Sequence, residues 1–315
     1  MEEKYHLGEV PFGVMFHHFH NEDHPSSQGS IDEVAFKKII QHLDEKFNLI
    51  SADTWLDKAM KDELKSEDVC LTFDDSLMCQ YDIAKPVLDE FKINAFWFLC
   101  SSLLEGNLEL LEVFRYFRTN CFDGVEDFYS VFFKAFEDSS EQDFKKLSGF
   151  DPDKYLAGFP FYTLNDRKFR YIRDKILGVE KYNSLMCEMF SLRDFDPASI
   201  KDKLWMGLDH AKELEKDGHI LGLHTHSHPT MVAGLSYENQ LSEYEVNKVY
   251  LEKHLTQKSL TMSHPCNSYN KSTIEILNNL GVKIGFRANM AKIQSSGKFE
   301  FPREDHANLV KELNL

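Results

Sequence analysis

Short apolar runs separated by stretches of helical periodicity dominate this chain. VCLTF (69–73) and INAFWFLC (93–100) read as buried strands, and HILGLHTHSHP (219–229) as a strand running into a histidine cluster. Between and around them lie helical patterns, so the alternation argues for βαβ units around a parallel sheet or barrel. PFGVMFHHFH (11–20) reads as a first strand ending in histidines. An N-cap-like Ser30 then precedes a helix with Val34, Phe36, Ile39, Ile40 and Leu43 on one stripe. NLISADTWLDKAM reads as a short strand and a helix, and DIAKPVLDEFK as helical. Further on, 204–218 is expected as a helix closed by Gly218, LSYENQLSEYEVNKVYLEKHLT as a long helix, and SLTMSHPCNSYN as a strand and loop. STIEILNNLG is a helix ended by Gly281, VKIGFRA a strand, and FEFPREDHANLV a tail. The rhythm is interrupted at 103–202, rich in Phe, Glu, Asp and Lys, where FYTLNDRKFRYIRDKIL carries Phe169, Ile172 and Ile176 at helical spacing. This stretch is expected to be a helical insertion, with its aromatic residues as its own core, inside a single domain spanning 1–315.

A chain of 315 residues, 42% hydrophobic, is long enough for one large α/β core. Its 36 basic and 52 acidic side chains give a formal charge of −16, which argues against nucleic acid and anionic membrane surfaces as partners. No run is long and apolar enough to span a bilayer. The N-terminus has no basic leader followed by a long apolar run, and the six cysteines form no CxxC pair. The expectation is a cytoplasmic protein with reduced thiols.

Three chemically loaded segments fall at expected strand ends: FDD at 73–75, HTHSHP at 224–229 and the histidines of MFHHFH. In parallel α/β folds the carboxyl ends of strands converge, so these segments can meet in space. Asp74 and Asp75 are adjacent like charges, and a bound cation is one way to compensate them. Capping of the next helix is the plainer reading of the pair taken alone. In an extended strand His224, His226 and His228 would share a face; on a turn His224 and His228 would pair. Two imidazoles and one carboxylate make a metal site with open positions, suited to hydrolytic zinc or non-haem ferrous iron. The second aspartate would then stand beside the bound water as a base. The combination of both segments at strand ends favours the metal site over the cap.

Thr72-Phe73-Asp74-Asp75-Ser76 resembles the TFDDG motif of the polysaccharide deacetylase family with the NodB homology domain, carbohydrate esterase family four. His224-Thr225-His226-Ser227-His228-Pro229 resembles its H-[ST]-x-x-H-P motif, and residues 263–270, SHPCNSYN, are similar to its YPYGxYN element. Phe301-Pro302-Arg303-Glu304-Asp305 resembles a PR-x-D ending, and MFHHFH the YH strand of many members. The likeness covers roughly 11–102 and 203–308, and long insertions like that at 103–202 resemble those of members tied to bacterial surface-sugar pathways.

The resemblance implies an α/β fold, a distorted (β/α) barrel of the NodB type with a mostly helical insertion. It implies metal-dependent removal of an N-acetyl or N-formyl group from an amino sugar, as a small molecule, an oligomer or a nucleotide-activated glycan precursor. Asp75, His224 and His228 carry over as ligands of a divalent metal, with zinc expected, and Asp74 as general base. The backbone N–H of Cys266 is expected at the oxyanion. Ser76, His264, Cys266 and Asn267 depart from the motifs, and no Leu-x-His element supplying the general acid is evident. His306 or His264 is expected as the acid, and Arg303 or Arg287 as the residue orienting Asp74. His17, His264, Tyr269 and Trp205 are expected to line the substrate cleft, and the insertion to shape it or to mediate a homo-oligomer. Alternatives that the residues leave open are an amidase for a non-sugar substrate, a non-haem iron oxygenase and a catalytically silent metal-binding protein.

Overall fold

The computed structural model describes residues 3–156, 162–293 and 297–315. Phe161, at the start of the expected helical stretch FYTLNDRKFRYIRDKIL, lies outside them. Among the described residues eight strands form one sheet: β1 (Phe12–Phe16), β2 (Asn48–Leu49), β3 (Asp68–Phe73), β4 (Phe96–Leu99), β5 (Ile220–Leu223), β6 (Thr261–Ser263), β7 (Ile284–Phe286) and β8 (Arg303–Asp305). The order is β7-β6-β5-β4-β3-β1-β8, with β2 on β3, and every pairing is parallel. A parallel bridge between Phe286 and Phe301 joins the two ends, so the sheet is a nearly closed, distorted (β/α) barrel. Every residue of β1, β3 and β4 is buried, as expected of strands covered on both faces. Phe96, Phe98, Ile284 and Phe286 pack with Trp55 and Ala59 of the helix Ala52–Met60. Nearer the strand ends, Phe73 stacks on Trp97 at 4.3 Å between ring centres.

Several local expectations are corrected. The helix Glu33–Lys46 is capped by Asp32, whose carboxylate accepts the Ala35 N–H, and not by Ser30. Ser30 instead donates to Ser27 O and contacts His20 Nδ1. Phe36, Ile39, Ile40 and Leu43 face the core, but Val34 is exposed. Residues 205–207 are not helical; the helix there is Leu208–Lys216, and Trp205 bridges Leu77 through its backbone. Gly218 (φ +87°) and Gly281 (φ +77°) do end their helices in the left-handed region open to glycine. The expected tail is ordered structure: β8 pairs with β1, and His306–Leu313 is a helix capped by Asp305.

The chain divides into two compact units, one of residues up to Leu108 with Lys201–Leu315, the other Glu109–Ile200. The second is helical, with Leu110–Asn120, Val125–Ser139, Leu164–Tyr171 and Gly178–Leu192 as its longer elements. Phe169 and Ile172 are fully buried in it, and Phe132 meets Phe169 edge-on at 4.9 Å. Among the described residues no helix is long and apolar enough to cross a membrane.

Candidate active site

The strand register builds this site. Phe16 pairs with Phe73, so the next residues, His17 and Asp74, emerge side by side. Leu223 pairs with Met262, so His224 and Ser263 do the same. Past β3 the backbone turns sharply: Asp75 (φ +74°) and Ser76 (φ +56°) are both left-handed, a conformation that strains a non-glycine residue. Ser76 stands where the resembling motif has glycine. The turn survives, and the Ser76 hydroxyl accepts the Cys100 N–H at 3.0 Å. Asn267 likewise keeps φ +56° in place of a glycine, and its side-chain oxygen accepts the Ala288 N–H. A π-helical turn, Gln80–Ala84, follows the Asp74–Asp75 corner. From it the buried Gln80 amide donates to the carbonyls of Asp74 (2.7 Å) and His17 (2.9 Å), tying the two strand ends together.

The two aspartates occupy different environments. Asp74 is 2% exposed. Arg303, fully buried, grips it with two hydrogen bonds, Nη1 to Oδ1 at 2.8 Å and Nη2 to Oδ2 at 2.7 Å. Ser263 Oγ adds a third bond to Oδ1 at 3.1 Å. Arg303 enters from β8 opposite Gly13, where a Cβ would lie 3.2 Å from the Arg303 Cγ and 3.1 Å from Thr72 Cγ2; glycine makes room for its stem inside the barrel. Burial raises the Asp74 carboxyl, but the Arg303 and His224 charges outweigh it and hold it below the usual range. Asp75 instead faces imidazoles. Its Oδ1 lies 3.1 Å from His224 Nε2 and 3.2 Å from His228 Nε2. Burial raises it too, and His228 with His224 and His17 pull it well below the carboxylate range.

Thr225 (φ +66°) and His228 (φ +55°) shape a turn that pairs His224 with His228, their ring centres 5.1 Å apart. His226 points elsewhere and bonds Ser101 Oγ at 2.9 Å. His224 is anchored by Asn247, which accepts its backbone N–H, and by Ser263, whose O and Oγ lie 3.0 and 2.8 Å from its Nδ1. That network puts a ring proton on Nδ1, so in the neutral ring the Nε2 lone pair is the one that faces Asp75. One ligand atom each of Asp75, His224 and His228 falls within 4.8 Å of the others. Two imidazole nitrogens and a carboxylate oxygen within that reach can share one cation, so this donor set fits a divalent metal.

His17 completes the cluster, its Nε2 3.8 Å from both Asp74 Oδ2 and Asp75 Oδ2 and its side chain 27% exposed. Burial lowers its pKa against the pull of both carboxylates. Other expected residues are not free to act. His306 is buried with Nδ1 and Nε2 against the carbonyls of Met15 and Gly29, and stacks on Phe16, so it has no nitrogen left for a substrate. His264 is fully buried beneath Tyr269, its Nε2 on Phe299 O, and burial lowers it to about 3, so it neither touches substrate nor serves as an acid near neutrality. Arg287 bonds Glu300 O and Asn289, not Asp74; of the two arginines it is Arg303 that holds Asp74. Trp205 is only 4% exposed, too buried to line a cleft. Tyr269 is half-buried, donates to Glu300 Oε1 and is pushed up to about 12, by burial first and then by that carboxylate. Cys266 sits exposed on a turn at φ +51°. Ser263, Gln80 and Asn247 carried no sequence signal beyond closeness to strand ends or motifs.

A family model described as polysaccharide deacetylase matches residues 194–285, a window holding His224, His228 and Ser263 but not the aspartates. Among solved structures the chain is similar to the Streptococcus pyogenes deacetylase PplD in complex with acetate (18% identity, TM-score 0.56, covering 97% of this chain and 93% of that one). It is also similar to IcaB from Ammonifex degensii (16%, TM-score 0.55, 94% and 91% covered). A third likeness is to the BpsB deacetylase domain from Bordetella bronchiseptica (12%, TM-score 0.53, 97% and 98% covered). At such identities these likenesses establish the fold. No curated protein matches.

Proposed function

Taking the chain as a member of the polysaccharide deacetylase family, we propose that it hydrolyses the N-acyl amide of an amino sugar, leaving a free amine and a short carboxylic acid. One observation carries this reading: two adjacent carboxylates held in opposite ways, Asp74 by a buried arginine and Asp75 by two imidazoles. Asp75, His224 and His228 would hold a divalent ion, zinc being well matched to this set, and such an ion supplies a Lewis acid and an acidified water. Asp74 Oδ1 already accepts two bonds, whereas Oδ2 accepts one and faces His17. Oδ2 is therefore the atom that takes the proton from the attacking water. His17 is placed to protonate the leaving amine, a role that His306 and His264 cannot fill from their buried bonds. The Cys266 N–H, on its exposed turn, is proposed as a donor to the developing oxyanion. A cytoplasmic setting and a homo-oligomer through the Glu109–Ile200 unit belong to the same proposal. The exposed Leu164, Val179 and Leu192 of that unit motivate the oligomer, which sedimentation would test.

The test is release of free amine from N-acetyl and N-formyl amino sugars by zinc-loaded protein, wild type beside Asp74→Asn. A loss of about 10²–10⁴-fold in the variant is expected. An equally active variant would remove Asp74 from the chemistry, and a wild type inert on every amide would overturn the reading. Bound iron with oxygen consumption would replace it by an oxygenase.

A further inference from the structure

We infer that the Ser263 hydroxyl is a positioning residue that couples the base to the ligand set, holding Asp74 Oδ1 with its proton and His224 Nδ1 with its lone pair. The inference rests on the reading of Asp74 and His224 above.

The geometry leaves little freedom. Ser263 is fully buried at the end of β6, beside His224 in the parallel register. Its Oγ lies 3.1 Å from Asp74 Oδ1 and 2.8 Å from His224 Nδ1. A hydroxyl has one proton and two lone pairs, and a carboxylate only accepts. The Ser263 proton therefore goes to Asp74, and the bond to His224 must use the imidazole's own proton. Two consequences follow. The His224 Nδ1–H is shared between Ser263 Oγ and Ser263 O, so in the neutral ring Nε2 is the nitrogen left bare toward Asp75 and His228. Asp74 Oδ1 is saturated by Ser263 and Arg303, so the reactive oxygen is Oδ2. The side chain thus reinforces the tautomer that the backbone carbonyl of Ser263 already favours, and it selects the working oxygen of the base. Alanine would keep only the carbonyl half of this arrangement. Threonine would keep all of it, at the cost of one extra methyl.

The experiment compares wild type, Ser263→Ala, Ser263→Thr and Ser263→Cys, each loaded with zinc. Unfolding midpoints report folding, loss of zinc to a chelator reports the ligand half, and kcat and KM report the base half. Ser263→Ala is expected to release zinc several-fold faster and to lose about ten-fold in kcat at unchanged KM, with Ser263→Thr restoring both. If threonine does not fold, Ser263→Cys, near in volume but a weak partner in both bonds, should fail like alanine. Zinc retention in Ser263→Ala equal to wild type overturns the inference, as does a folded threonine variant no better than alanine. If wild type hydrolyses no amide, the function proposed above fails, and zinc retention alone still decides the role of Ser263.

Discussion

Replacing Arg303 by methionine removes the cation that makes a buried Asp74 tolerable. Arg303 is fully buried and makes four bonds: two to Asp74, Nε to Arg287 O at 2.7 Å, and Nη1 to Thr72 Oγ1 at 3.2 Å. Methionine fills much of the stem's volume but leaves Asp74, 2% exposed, with Ser263 as its remaining side-chain donor. Stranding one partner of a buried ion pair costs about 3–5 kcal/mol. The carboxyl would also rise, since burial, the largest influence on it, would lose its main opponent. Two readouts follow. Urea unfolding should show the full loss for Arg303→Met, and the double variant Arg303→Met with Asp74→Asn should be less destabilised than the sum of the singles by about 1–3 kcal/mol. Amide hydrolysis by Arg303→Met should fall at neutral pH and recover in part as pH rises and Asp74 ionises. A single-variant cost below about 1 kcal/mol, or strict additivity of the two changes, would refute the buried clamp.

Three further outcomes are expected. His17→Gln should cut kcat by about 10²-fold while zinc content stays at wild-type level; an unchanged kcat would place the acid elsewhere. Ser76→Gly should be more stable than Ser76→Ala by about 1–2 kcal/mol, because both lose the hydroxyl but only alanine keeps the strained φ of +56°; equal denaturation midpoints would show that no strain is stored there. His219, 2% exposed, accepts the Ala95 N–H on Nδ1 and is lowered to about 4 by burial first. Its folded pKa lies below its unfolded one, so its contribution is complete above about pH 6.5 and is lost as pH falls toward 4, about 3 kcal/mol in all at 1.36 kcal/mol per pH unit. His219→Asn should flatten that stretch of the stability–pH curve, and an unchanged slope would exclude His219 as its source.

Much of the barrel was legible along the chain because its strands are local, apolar and short, and its helices carry their own stripe. The boundary errors share one cause. Val34 and residues 205–207 fit a helical pattern locally, but which face meets the sheet, and where a strand or bridge takes over, depends on partners far away in sequence. The tail FEFPREDHANLV shows this most clearly. Nothing local marks Arg303–Asp305 as a strand until β1 offers its open edge.

The sequence by itself determined which chemistry was available: two adjacent aspartates, a spaced histidine run, and their places at strand ends. It also narrowed the arginine near Asp74 to two candidates. Only the tertiary structure chose between them, because reach and burial are long-range properties: Arg303 passes Gly13 inside the barrel, while Arg287 is spent on Glu300 O and Asn289. The same holds for the histidines. His17, His264 and His306 are equivalent as letters, and they part only when the fold gives two of them carbonyl partners and leaves the third between two carboxylates. Ser263 was beyond sequence reasoning altogether, since a serine acquires its role here only from the register that sets β6 beside β5.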